Sequence, residues 1–331
     1  MEASGTFQHR QFAHCETGVV SALLSHYGLP ISEPMVLGLA GGMNFAYLPF
    51  IKINGMPMIS YRMPPRFIIR GIQGRLGVKF KTKTYRDRHT AHEELVRLVE
   101  SGRPVGLQTS VYWIPYFPPD MRFQFNAHNI IVFGREDGQF LVSDPVFDSV
   151  KKIADADLQN ARFAKGTLAP KGFLYYPERM PESVDTDSLI KKSIKRTTYM
   201  MLKAPPPFGI RGMRLLAGAI ERLEGSRDRR YARLFLGHIV RMQEEIGTGG
   251  GGFRFMYAAF LQEGGERLND QALREASVKM TSAGDGWRLF ALACAKACRN
   301  KEGDIDFKGI AGRLRDCAEA EARVYEGLAR I

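Results

Sequence analysis

Cys15, His128 and Asp144 are the residues of this 331-residue chain whose types and spacing combine into one chemistry. A cysteine nucleophile needs a base, and a third group to hold that base in one tautomer. Cys15 precedes Val19, Val20, Leu23, Leu24 and Tyr27, apolar residues at helical spacing, so it falls in the first turn of a helix. The unpaired N–H groups and positive dipole end of that turn favour a thiolate. They can also receive the oxyanion formed when a thiolate attacks a carbonyl. His128 opens an apolar strand, Asn129 to Phe133, and Asp144 closes the return strand 16 residues later. A hairpin of that length sets the two strand ends side by side, and Asp144 can then orient the imidazole. Singly, each residue has a plain structural reading: a core cysteine, a hydrogen-bonded histidine, an Asp-Pro turn opener. Their joint order and placement favour the catalytic one.

The elements that must position these residues follow from the same pattern. Gly28 and Pro30 stop the first helix, and Ser32-Glu33-Pro34 opens a second, ended by Gly41-Gly42. Thr90 and Glu93 have capping-box spacing ahead of Leu95, Leu98 and Val99. Val105 to Val111, Ile130 to Phe133, Phe140 to Val142 and Phe173 to Tyr176 read as strands, with Glu136-Asp137-Gly138 as a hairpin turn. A polar, proline-bearing stretch at 177–187 marks a boundary, giving domains 1–181 and 182–331. Beyond it the period is helical over 214–223, 231–245, 253–262, 270–281, 287–298 and 310–328. The fold class is α+β, a mixed first domain followed by an all-helical one.

Composition bounds the rest. With 44% hydrophobic and 25% charged residues the chain is an ordinary globular protein without a membrane-length apolar run. Its polar start has no apolar signal core, and its four cysteines form no disulfide framework, so a cytoplasmic protein is expected. The net charge is +12, and residues 62–88 hold nine Lys or Arg against the single acid Asp87. Such an excess suits an acidic partner; the plain alternative is a solvated basic face. No RNA-binding signature accompanies it, so nucleic acid is not expected. His89 and His92 lie on a charged helix start, and Cys294 and Cys298 lack a partner pair at zinc spacing, so no metal is expected. Gly249 to Gly252 lacks the Lys-Ser/Thr of a nucleotide loop.

The run His14-Cys15-Glu16-Thr17-Gly18, with Leu24, His26-Tyr27-Gly28-Leu29, Ser32-Glu33 and Gly38-Leu39-Ala40-Gly41-Gly42, resembles the N-terminal domain of the butirosin biosynthesis protein H family. Ala127-His128-Asn129-Ile130-Ile131-Val132 with Ser143-Asp144-Pro145 is similar both to that family and to papain-like C39 peptidases. Gly247-Thr248-Gly249-Gly250, Phe253-Arg254, Met256-Tyr257 and Phe260-Leu261 resemble the helical domain that follows in the same family. The resemblance implies a papain-like fold for the first domain and an acyltransferase of specialised metabolism. Cys15 would take an acyl group from an acidic acyl carrier protein, with His128 as base and Asp144 as its orienter. A small-molecule amine or hydroxyl would then accept it. The phosphopantetheine arm belongs to the donor, so no cofactor of its own is implied. A cysteine peptidase or amide hydrolase would use the same three residues, and a non-catalytic carrier-binding module would be free to lose them.

Papain-like enzymes place a glutamine about six residues before the cysteine to complete the oxyanion hole. Here that position is His9, so Gln11 and His9 are the candidates. Trp113 and Tyr116, with neighbouring aromatics ahead of His128, are candidate walls of an acyl pocket, as against simple core packing. Gly249 and Gly250 are candidate points of backbone approach to substrate.

Overall fold

The computed structural model describes residues 6–53, 55–226, 228–299 and 304–331. In chain order, α1 (Cys15–His26) and α2 (Glu33–Ala40) lead into a hairpin of β1 (Met43–Ile53) and β2 (Met56–Arg62). Then come α3 (Phe67–Leu76), β3 (Lys79–Lys83), α4 (Arg88–Glu100) and β4 (Val105–Thr109). They are followed by β5 (His128–Glu136), β6 (Gln139–Ser143), β7 (Lys151–Ile153), α5 (Asp155–Arg162) and β8 (Leu174–Arg179). Among the described residues, six α-helices follow: α6 (Thr186–Lys203), α7 (Gly209–Glu221), α8 (Arg229–Val240), α9 (Arg254–Arg267), α10 (Gln271–Arg299) and α11 (Phe307–Leu328).

Contacts divide the chain into two units. One is Met1–Val36 with Ile68–Val184; the other is Leu37–Phe67 with Asp185–Ile331. The expectation of a boundary at 181/182 assigned 37–67 to the first domain. The structure puts it with the helices, because the hairpin it forms is apolar on the face that they cover.

The first unit is built on an antiparallel sheet of order β3-β8-β4-β5-β6-β7. Alternation along its strands sends Ile130 and Val132 to a core shared with Leu107, Phe140 and, from α4, Leu95 and Leu98. The β5–β6 turn has Asp137 and Gly138 at φ 50° and 75°, a left-handed pair that matches strand twist. Helix α4 starts at Arg88, earlier than the capping-box reading. Asp87 is its cap and accepts from the Thr90 amide. Helix α1 is buried along nearly all its length, not on one face alone. Strand β3 escaped the sequence reading because Lys79, Lys81 and Lys83 made it look like solvated basic chain. As an edge strand it gains from those lysines, which oppose pairing with another chain. Lys79 and Lys81 face Glu178, and Lys83 pairs with Glu94 at 2.5 Å.

In the second unit, β1 and β2 pair antiparallel and present Phe45 and Tyr61 to Trp287 of α10, with ring centroids 5.8 and 5.4 Å away. Arg254 and Glu321 form a fully buried two-point ion pair at 2.8 and 3.2 Å. The Trp287 indole donates to the same carboxylate. Two expected helices, 270–281 and 287–298, are one continuous helix. Gly284, between the two expected helices, admits Phe255, whose ring lies 2.8 Å from where a Cβ would stand. Among the described residues no helix is long and apolar enough to cross a membrane.

A fragment of residues 182–331 lacks the hairpin that covers Trp287. It should therefore show no cooperative thermal unfolding by circular dichroism. A transition matching one in the full chain would sink this account of the second unit.

Candidate active site

Four contacts hold the chain just before α1. His14 is the N-cap residue, and its Nδ1 accepts from the Thr17 amide at 3.3 Å. Glu33 accepts from the amides of Ala13 and His14 at 2.9 and 2.7 Å, and from the Thr17 hydroxyl at 2.8 Å. Burial raises the Glu33 carboxyl above its ordinary range, against the pull of these donors. Gly18 lets Phe12 lie on the first turn, since a Cβ there would sit 2.6 Å from the Phe12 side chain. Cys15 is thereby fixed as the first residue of α1, and it is buried.

Residues 9–12 then run beside 143–146. His9 Nδ1 meets the Ser143 hydroxyl at 2.7 Å, the Phe12 amide donates to the Pro145 carbonyl at 2.8 Å, and Gln11 Nε2 donates to the Val146 carbonyl at 3.1 Å. This strap ties the start of α1 to the loop that carries Asp144. Gln11 and His9 thus lie in the strap, and these hydrogen bonds tie their side chains to 143–146 rather than to Cys15.

His128, the first residue of β5, is paired across the sheet with Thr109. Its Nε2 lies 2.8 Å from Asp144 Oδ2. Asp144 is wholly buried, and it also accepts from the Tyr116 hydroxyl at 2.9 Å and the Val146 amide at 3.1 Å. Tyr116 therefore serves the carboxylate, and burial together with the Asp144 charge keeps its phenol protonated. Phe117 stands edge-on to the imidazole at 5.5 Å, and Phe147 packs on Phe117 and Tyr116. Burial alone would favour a neutral His128 ring. The Asp144 charge and hydrogen bond outweigh it, with a hydrogen bond to Cys15 adding to them, and hold the imidazolium up to about 10. The structure thus brings Cys15, His128 and Asp144 together.

It adds two residues that sequence reading passed over. Asn129 Nδ2 is 3.9 Å from Cys15 Sγ and 3.1 Å from the Ala127 carbonyl. The Tyr175 hydroxyl donates to Asn129 Oδ1 at 2.9 Å, which leaves the amide nitrogen facing the sulfur. Asn129 was hidden inside an apolar strand pattern, and Tyr175 is brought in from β8 by sheet order alone. Cys294 and Cys317 are buried cysteines of the second unit. Burial pushes the Cys317 thiol up to about 12, and the Cys294 thiol up as well.

Trp113 is 44% exposed and lines a cavity beside the strand end that carries His128. Gly249 and Gly250 belong to the second unit. The amides of this glycine run serve the unit itself: Gly250 N donates to Thr248 Oγ1 at 3.2 Å and Gly251 N to the Glu244 carboxylate.

The layout, a helix-start cysteine against an antiparallel sheet that carries its histidine, is papain-like. Residues 156–328, more than half of the chain, match the family model described as domain of unknown function DUF4872. The chain belongs to that family. Residues 14–145 match the butirosin biosynthesis protein H N-terminal domain, in agreement with the motif resemblance. Among solved structures, a Bacillus anthracis protein described as a C39-like peptidase is 17% identical, with a TM-score of 0.38. That match covers 55% of this chain and all of the other. No curated protein matches.

The raised His128 value fixes a pH signature. An unfolded histidine titrates near 6.5, so the folded state binds the extra proton between about 6.5 and about 10. The pair's contribution to stability is complete below about pH 6.5 and is lost as pH rises through about 10. Asp144→Asn removes the charge that holds the proton. The difference in Tm between wild type and this variant should therefore narrow steadily from pH 6.5 to 10. A constant difference would show that His128 is neutral in the native state.

Proposed function

We propose that the chain is a cysteine acyltransferase that draws acyl groups from a carrier-protein thioester. What supports this most is the buried His128–Asp144 pair beside a Cys15 sulfur that also faces the Asn129 amide. Transfer of the Cys15 proton to His128 gives a thiolate beside a buried imidazolium that Asp144 holds, a pair suited to attack on a carbonyl carbon. The Cys15 thiolate adds to the donor thioester, forming a new C–S bond. Collapse of the oxyanion breaks the bond to the donor sulfur, which leaves with the proton from His128. The neutral imidazole then takes a proton from the acceptor amine or hydroxyl as it attacks. The C–S bond to Cys15 breaks, and the thiolate and imidazolium are restored. One thioester replaces another in the first half, so little energy separates the two states. Transfer is preferred over hydrolysis because of the match to a butirosin biosynthesis protein domain.

Incubation with acyl thioesters followed by intact-mass spectrometry tests the reading. Cys15→Ala should abolish the acyl adduct, and His128→Ala should slow its formation by roughly 10²–10⁴-fold. Asp144→Asn should cost less, because the base remains. Hydrolysis of a peptide or amide without any acyl adduct would instead assign the chain to the hydrolases.

An acidic carrier protein remains the proposed donor, on the strength of the +12 net charge. The basic stretch is divided between the two units, with Arg62 and Arg66 in the second, and three of its lysines face carboxylates. Steering by the remaining charge should still fade as the Debye length falls from about 10 Å at 0.1 M salt to about 3 Å at 1 M. Loading from a carrier thioester should slow over that range, while loading from an N-acetylcysteamine thioester should stay nearly constant. Equal salt dependence for both donors would remove the acidic-partner reading.

A further inference from the structure

A cavity of about 330 Å³ opens at the His128 end of strands β4 and β5, within the range of roughly 300–1,000 Å³ usual for ligand pockets. Its floor includes Ser110 and Asn126. Ser110 follows Thr109, which is paired with His128. Asn126 precedes Ala127, whose carbonyl lies 3.9 Å from Cys15 Sγ. Asn126 and Ala127 are consecutive, so the floor lies one residue from a contact of the reacting sulfur.

Three features of the cavity call for a ligand. Among the described residues, its charged lining is Arg88 and Lys165, with no acid beside them. The Arg88 guanidinium lies over the Phe163 ring at 5.5 Å and near Asn160 Oδ1 at 3.5 Å, which leaves most of its N–H fork directed elsewhere. Tyr112 and Trp113, at the same cavity, are 46% and 44% exposed, so core packing does not account for them. Third, the wall that carries Lys165 is held by buried amides. Asn126 Nδ2 donates to the carbonyls of Lys165 and Thr167 at 3.1 and 2.9 Å. Gln108 Nε2 donates to the carbonyls of Asn126 and Leu168 at 2.8 and 3.1 Å. Gly166 turns this loop at φ +106°, a conformation that side chains rarely adopt. The cavity is therefore preformed: cationic, aromatic on one side and rich in carboxamides.

We propose that it binds the phosphate-bearing pantetheine arm of the thioester donor. Arg88 and Lys165 take the phosphate, Gln124 and Asn160 meet the amides of the arm, and Trp113 covers its methylenes. This arrangement delivers the thioester end toward Cys15. The inference rests on the acyl-transfer reading and adds to it the part of the donor that is recognised. The same arm is carried by a carrier protein and by coenzyme A, and the two sources differ in the group attached beyond the phosphate: a serine of the carrier in one, a nucleotide in the other.

The test compares loading of Cys15 from an acyl-phosphopantetheine and from the same acyl-pantetheine without phosphate. The double variant Arg88→Ala, Lys165→Ala should raise the concentration for half-maximal loading by about tenfold or more for the phosphorylated donor only, as expected for two charge-assisted contacts. Both side chains are exposed, so the variant should melt like wild type. An equal effect on both donors, or none on either, would overturn the proposal. Acyl carrier protein and acyl-coenzyme A as donors then separate the sources: the one that loads at lower concentration, with the same dependence on Arg88 and Lys165, is the natural one. Calorimetry of free phosphopantetheine with Cys15→Ser keeps the two readings apart. Binding that depends on Arg88, with no acyl loading of wild type, would retain this site and reject the transferase. No binding would reject the site.

Discussion

The first unit is organised around one buried carboxylate. Asp144 is removed from water at the end of β6, and an unpaired charge there would cost several kcal/mol. Its partners come from three separate segments: His128 from β5, Tyr116 from the aromatic stretch after β4, and the Val146 amide from its own turn. Each must be in place for the burial to be tolerable. The strap of residues 9–12, bonded along 143–146, then carries the same constraint to the start of α1. Satisfying Asp144 thus constrains the position of Cys15 relative to His128, in addition to the contacts that the Cys15 sulfur makes with β5 itself.

Another buried carboxylate of this unit, Glu33, works on the other side of Cys15. Glu33 gathers the amides of Ala13 and His14 and the Thr17 hydroxyl, so the first turn of α1 cannot fray. A helix N-terminus usually satisfies its first amides with its cap residue or water. Here a carboxylate from α2 holds the amides just before the turn, while His14 caps Thr17. The nucleophile sits between two clasps, one on each side, and Asn129 supplies a donor to its sulfur from the sheet. The second unit repeats the principle with Glu321, which accepts from Arg254 and Trp287 deep among helices. Replacing one partner of such a pair costs about 3–5 kcal/mol, because the other charge stays buried.

The sequence by itself determined the local elements and the chemical types. Helical spacing after Cys15, alternation around His128 and the Asp-Gly turn are local properties of the chain, and they located α1, β5 and β6 together with the three residues they bring together. It also separated a mixed first part from a helical second part. Spacing could not assign the β1–β2 hairpin to the helical unit, because a strand's partner depends on which apolar surface it covers, and Trp287 is more than two hundred residues away. It read 270–281 and 287–298 as separate helices, whereas they form one helix in which Gly284 admits Phe255. Only the tertiary structure decided that Tyr116 serves Asp144, that Gln11 and His9 serve the strap, and that Asn129 and Tyr175 gather at the sulfur. Those assignments depend on which side chains meet across a sheet, and sheet order is set by long-range burial rather than by the residues adjacent in the chain.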